Sequence, residues 1–363
     1  MNMLNGSNYK MKVLHFNDYE HLAGAETAVR RLCKESLEYG VNTKLVTKKE
    51  VGIFDKFKIS NIKAITSTYK PDIIHVHNTS TIGKAPFVVA KEMNIPVIWT
   101  LHDYRLLCSN TLLLRDNMTK CRKFDCPNCS VYHKASNLSF EEIKEYDITF
   151  VVASDYVKNR YNRILSAKII YWDAQKELLK KEIKYVEKPY FLFGGRTDVE
   201  KGVEYVLLAI KRLKKKYPEI KLVFAGESRG YALQRLLRLY DIQENIQYMG
   251  FIPKEKYEQL MQDCFAVVCA SIWEEPFNLT LLEAMSMGKP VIATQVGGQS
   301  EVLGDSGMKI MPKSSISIKQ AMESLLEDKD KAYKIGKVCR ERAENFQGCT
   351  KTYIELYKRL KDS

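Results

Sequence analysis

FAVVCASIWEEPFNLTLLEAMSMGKPVIAT (265–294) opens and closes on short apolar runs and holds a helical stretch between them. The runs FAVVCAS (265–271) and PVIAT (290–294) are nearly continuous in apolar residues rather than alternating. Strands read this way when helices cover both faces of a parallel sheet. The same plan extends upstream through YFLFGG (190–195), KLVFAG (221–226) and NIQYMGF (245–251), and again through MKVLHF (11–16), TKLVT (43–47), DIIHVH (72–77), PVIWTLH (96–102) and ITFVVAS (148–154). Helical stretches lie between them, at 24–39, 81–93 and 202–216 among others. In the last, Val203, Val206, Leu207, Ile210 and Leu213 form one apolar stripe. The pattern predicts two doubly wound α/β domains facing a central cleft. The plan dissolves into a lysine-rich stretch near 171–188, so the domains are expected at 1–172 and 173–345.

Length and composition agree with that division. A chain of 363 residues, 45% apolar, suits two domains that each bury a core. Charged residues at 28% and aromatics at 10% exclude a disordered chain. No apolar run approaches the ~18 residues of a membrane span, and MNMLNGSNYK (1–10) lacks the apolar block of a signal peptide. Nine cysteines, an odd number, with Cys33, Cys264, Cys269 and Cys339 in expected core elements, suit a reduced cytoplasmic protein better than a disulfide framework.

In open α/β sheets, ligands sit beyond the carboxyl ends of the strands, so the residues that follow each strand are the candidates. After FAVVCAS, Glu275 and Glu283 stand eight positions apart across the entry to a helix, Glu275 in the loop and Glu283 within the helix. Glu283 is flanked by Leu282, Ala284 and Met285, which disfavours a solvated face. Phe277, Asn278, Leu279 and Thr280 would offer backbone N–H groups at the helix start, a ready phosphate site. After YFLFGG, the turn FGGRTDVEKG (193–202) places Arg196 and Lys201 where two cations would suit a diphosphate. In HLAGAETAVRRL (21–32), Gly24 would let backbone approach a ligand. All six histidines, at 15, 21, 75, 77, 102 and 133, fall in the first half. HVHN (75–78) and TLHDY (100–104) end strands there, so His102 can face the cleft with Asp103 orienting its ring. His75 and His77 read as packed, hydrogen-bonded residues.

EPFNLTLLEAM followed by GKPVIAT and VGGQSE resembles the signature of the retaining glycosyltransferases of family four, and the resemblance covers nearly the whole chain. It implies the GT-B fold, with a last helix, about 346–363, crossing back onto the first domain. It implies that Glu283 binds the ribose hydroxyls of a nucleotide, that Glu275 and His102 meet the transferred sugar, and that Arg196 and Lys201 hold the diphosphate. No catalytic metal or cofactor is implied beyond the nucleotide-sugar co-substrate. Two departures stand out: Asn278 replaces a usual Gly beside the phosphates, and Ala23 precedes Gly24 where two glycines are usual.

Cys108, Cys121, Cys126 and Cys129 follow TLHDY at a spacing able to hold a structural zinc, with His133 as a further ligand, or simply form a reduced insertion. The net charge is +13, and +8 of it falls in residues 151–250, around Lys176, Lys180, Lys181, Lys184, Lys188 and 211–216. Solvated helix faces account for it, as does a surface for anionic lipid headgroups or an anionic substrate; nucleic acid is disfavoured, since basic and aromatic residues do not alternate there. The expectation is a metal-independent, retaining glycosyltransferase that takes a nucleotide sugar to a glycan or lipid-linked glycan in surface polysaccharide synthesis. It would be cytoplasmic and peripheral at the inner membrane face. A nucleotide-sugar epimerase and a catalytically silent binding protein are the competing readings.

Overall fold

Six parallel strands form each of two sheets in the computed structural model, which describes residues 11–19, 24–52, 55–108, 110–115, 118–121, 138–184, 186, 190–227 and 232–363. The chain divides into one unit of residues 1–173 with 348–363 and a second of residues 174–347.

In the first unit the strands are β1 (Met11–Phe16), β2 (Val41–Val46), β3 (Ile73–Val76), β4 (Val97–Leu101), β5 (Ile148–Val152) and β6 (Ala167–Ile169), in the order β2-β1-β3-β4-β5-β6. The middle strands β3 and β4 are buried at every position, as continuous apolar runs require. The helix Cys349–Lys361 belongs to this unit. It buries Tyr353, Ile354, Leu356 and Tyr357, and the two tyrosine hydroxyls reach the sheet: Tyr353 to Thr100 Oγ1 at 2.8 Å and Tyr357 to His75 Nδ1 at 2.7 Å.

In the second unit the strands are β7 (Tyr190–Gly194), β8 (Lys221–Ala225), β9 (Ile246–Tyr248), β10 (Ala266–Cys269), β11 (Val291–Thr294) and β12 (Met308–Ile310), in the order β12-β11-β10-β7-β8-β9. The helix Val203–Leu213 lays its expected stripe of Val203, Val206, Leu207, Ile210 and Leu213 on Phe191, Phe224 and Val268 of the sheet. Each such buried side chain contributes about 1.5–3 kcal/mol.

Sequence reading finds ten of these strands and misses β6 and β12. Both are three-residue edge strands, AKI and MKI, with an exposed lysine at the centre, so neither shows an apolar run.

Candidate active site

The strand order of the second unit reverses between β7 and β10, which pair in parallel. Such a reversal parts the two following loops and opens a crevice at the carboxyl ends of the strands. Both loops predicted to carry chemistry leave from this point. They touch directly: the Ile272 amide donates to the Glu200 carbonyl at 2.8 Å. Glycine makes the approach possible. Gly202 has φ +77°, and a Cβ there would lie 2.0 Å from the Ala270 carbonyl oxygen.

The contact brings Lys201 and Glu275 together. Lys201 Nζ lies 2.5 Å from Glu275 Oε1, and Ser271 Oγ donates to the same oxygen at 2.5 Å. Glu275 is buried at 4% exposure, so its charge depends on these two donors. Its backbone is pinned as well, since its carbonyl accepts from the Gly298 amide at 2.7 Å. Lys201 Nζ also stands 5.5 Å from the Trp273 ring centroid. Arg196 bridges to Asp198 and, at 3.2 Å, to Glu200. Both expected phosphate cations therefore stand in ion pairs with carboxylates of the same loops. An arriving anion would exchange partners with them.

Asn278 caps the helix Leu279–Ser286. Its Oδ1 accepts from the Leu281 amide at 3.0 Å, and its Nδ2 donates to Gln299 Oε1 at 2.5 Å. Its φ of +149° is one that side chains seldom adopt, so Asn occupies a backbone position made for Gly. The amides of Leu279 and Thr280, which lead this helix, have no acceptor within it, and Phe277 is buried just before them. Glu283 lies one turn on. Gln175 Nε2 donates to Glu283 Oε1 at 2.9 Å and Gln175 Oε1 accepts from Lys254 Nζ at 3.2 Å. The Tyr257 hydroxyl is held far above the ordinary tyrosine range, first by burial and then by the charge of Glu283.

In the first unit the order reverses between β1 and β3. Behind β1, Asn17 Oδ1 accepts from the Asn78 amide at 3.0 Å, and Asp18 Oδ1 accepts from the amides of Thr81 and Ile82. Gly24 opens the helix Gly24–Ser36, whose buried Glu26 accepts from Asn78 Nδ2 at 3.1 Å. His102 follows β4. The expectation that Asp103 orients its ring fails: the Asp103 carboxylate accepts from the backbone amide, Nε and guanidinium of Arg105. His102 Nε2 instead meets His77 Nδ1 at 3.1 Å, and its ring stacks with Trp172 at 5.8 Å. Burial lowers the His102 pKa to about 4. Sequence reading misses Ser271, Gln175 and the link from His77 to His102. Ser271 meets Glu275 four positions on only through the fold of their loop, Gln175 acts on a residue 108 positions away, and the histidine link follows from strand pairing, so no local motif marks them.

Of the expected zinc cysteines, Cys108 and Cys121 are half-buried and the Cys108 thiol donates to Asn110 Oδ1 at 2.8 Å, whereas Cys126, Cys129 and His133 lie outside the described residues, as do His21 and Ala23. Several lysines of the basic middle have carboxylate partners: Lys181 with Glu258, Lys184 with Asp263, Lys214 with Asp241 and Lys216 with Glu327. Among the described residues no helix is long and apolar enough to cross a membrane.

The family described as Glycosyl transferases group 1 matches residues 174–342. An uncharacterized glycosyltransferase of Methanocaldococcus jannaschii is 31% identical over 146 residues, 39% of this chain and 37% of that protein. The uncharacterized glycosyltransferase YqgM of Bacillus subtilis is 24% identical over 298 residues, 80% of this chain and 78% of that protein. The crystal structure of Anabaena HepE in complex with UDP and glucose superposes with a TM-score of 0.73 at 18% identity, covering 96% of this chain and 99% of that one.

Proposed function

We propose that the chain, which matches the group 1 glycosyl transferases over residues 174–342 and has the GT-B fold, transfers a sugar from a nucleoside diphosphate donor to an acceptor hydroxyl with retention of anomeric configuration. The observation that carries the reading is the meeting of Lys201, Glu275 and the Asn278-capped helix start at the β7/β10 reversal. UDP and glucose in the Anabaena structure support a nucleotide-sugar donor here.

In this reading Glu283, steadied by Gln175, takes the ribose hydroxyls. Arg196, Lys201 and the amides of Leu279 and Thr280 take the diphosphate and its growing charge as the glycosidic C–O bond breaks. Glu275 and His102 meet the hydroxyls of the sugar. The acceptor oxygen forms the new C–O bond on the face the diphosphate leaves, and its proton passes to the departing phosphate oxygen. The residues assigned here bind and orient, and none is required as a resident metal ligand.

The acceptor we propose is a glycan or lipid-linked glycan met at the cytoplasmic face of a membrane, where the +8 of residues 151–250 would meet anionic headgroups. Co-sedimentation with anionic vesicles that weakens as salt rises is the expected result; no binding at low salt removes the membrane contact.

Nucleotide release from UDP-, GDP-, dTDP- and ADP-sugars, run beside Glu275→Ala and Arg196→Ala, tests the donor site. Turnover of one donor, lost in both variants, is the expected outcome. Turnover unchanged in both variants would refute the site. An inverted anomer in the product would refute retention.

A further inference from the structure

Four histidines of the first unit are linked ring to ring. His15 in β1 stands opposite His75 of β3 in strand register, while His77 and His102 follow β3 and β4. His15 Nδ1 lies 3.1 Å from His77 Nε2, and His77 Nδ1 lies 3.1 Å from His102 Nε2. His75 is tied off separately, Nδ1 with Tyr357 and Nε2 with Thr100. At the inner end of the chain, His15 Nε2 is buried and meets no hydrogen-bond partner among the described residues. At the outer end His102 is only half-buried, and no hydrogen bond from a described residue reaches its Nδ1.

Proton counting then fixes the direction. Burial keeps every ring neutral at ordinary pH: it lowers the pKa of His15 to about 3 and of His102 to about 4, and holds His75 and His77 well below the usual value. A neutral imidazole carries one proton, and each N···N contact needs one. Only two arrangements satisfy both contacts. Either all three rings are protonated on Nε2, which buries an N–H of His15 with no acceptor, or all three are protonated on Nδ1. Buried orphan N–H groups are the rarer kind of unsatisfied group and cost about 1–3 kcal/mol.

We infer that His15 and His77 are positioning residues that lock His102 as an outward Nδ1–H donor, aimed at an acceptor oxygen of the bound donor substrate. The identity of that oxygen, on sugar or phosphate, rests on the function proposed above; the tautomer does not. The nearness of His15, His75 and His77, whose ligand nitrogens lie within 4.8 Å of one another, would also let them share an ion. Against that, both nitrogens of His75 and of His77 are already engaged, and no described carboxylate hydrogen-bonds these rings.

Long-range ¹H–¹⁵N spectra of the full chain labelled at histidine read the tautomer directly. His102 is expected as the Nδ1–H form, opposite to the preference of histidine in water. In His77→Phe it should relax to Nε2–H, whereas in His77→Gln the side-chain amide can still donate and the Nδ1–H form should persist. Loss of one hydrogen bond should raise the KM for the donor about tenfold in the Phe variant, with kcat changing less and Gln restoring it. An Nε2–H His102 in the parent protein overturns the inference whether or not the variants fold. So does an Nδ1–H form that survives in a folded His77→Phe, or a stoichiometric metal retained through purification and lost in His15→Phe. A correct tautomer without turnover of any nucleotide sugar would leave the lock standing and overturn the sugar-transfer reading instead.

Discussion

Lys201 Nζ and Glu275 Oε1 stand 2.5 Å apart, and the acid is the more deeply buried partner, with 5% of its side chain exposed against 22% for the lysine. The pair is therefore asymmetric. Lys201→Ala strands a buried carboxylate and should cost about 2–3 kcal/mol. Glu275→Gln leaves a lysine that still reaches water and should cost about 1 kcal/mol or less. Urea unfolding midpoints of the two variants check the order.

The same pair predicts opposite effects on binding and turnover. Releasing Lys201 by Glu275→Gln should leave UDP binding as tight as in the parent or tighter, while sugar turnover falls by about 100-fold. Calorimetric titration with UDP beside a turnover assay separates the two.

Acid stability follows from the histidine chain. The folded values of His15 and His102, about 3 and about 4, lie below the ordinary 6.5, and those of His75 and His77 lie well below it. Above pH 6.5 both folded and unfolded states are neutral at these rings, and nothing is lost. As pH falls below 6.5, the unfolded chain binds protons that the folded chain refuses, so stability drops until the folded values are reached. Each ring contributes a slope of up to about 1.4 kcal/mol per pH unit. Denaturant midpoints at pH 7.5, 6 and 5 should fall steeply, and less steeply in His15→Phe.

Asn278 holds φ +149° while capping its helix. Asn278→Gly gives up the cap and the bond to Gln299 but relieves the backbone, and with gain and loss opposed it should change stability by less than about 1 kcal/mol. Asn278→Ala loses the same two bonds with no relief of the backbone, and should cost about 1–3 kcal/mol. Thermal unfolding of both variants distinguishes the cases.

Gln175 touches Glu283 directly, so Gln175→Ala should weaken nucleotide binding about three- to tenfold, with kcat little changed. A titration with the free nucleoside diphosphate measures it.

Most of the sheet architecture was legible because central parallel strands are continuous apolar runs, as at Ile73–Val76 and Val97–Leu101. The edge strands Ala167–Ile169 and Met308–Ile310 were not, since half-exposed backbone needs no apolar pattern. In the candidate site, Glu275, Lys201 and Arg196 could be named from their places behind strands. Their mutual pairing could not, because it depends on the close approach that Gly202 permits. Asp103 was assigned to the wrong partner: adjacency in sequence suggested His102, while Arg105 curls back to take both carboxylate oxygens. The ring chain through His15, His77 and His102 emerges only once β1, β3 and β4 are laid side by side.

Tyr353 and Tyr357 fasten the helix Cys349–Lys361 to Thr100 and His75, more than 250 positions earlier in the chain. On the ribosome, then, the order of synthesis is not the order of completion. The unit begun first must wait, with the hydroxyl partners of Thr100 and His75 still unmade, until all of residues 174–347 have emerged. Its neighbour, uninterrupted in sequence, can mature ahead of it.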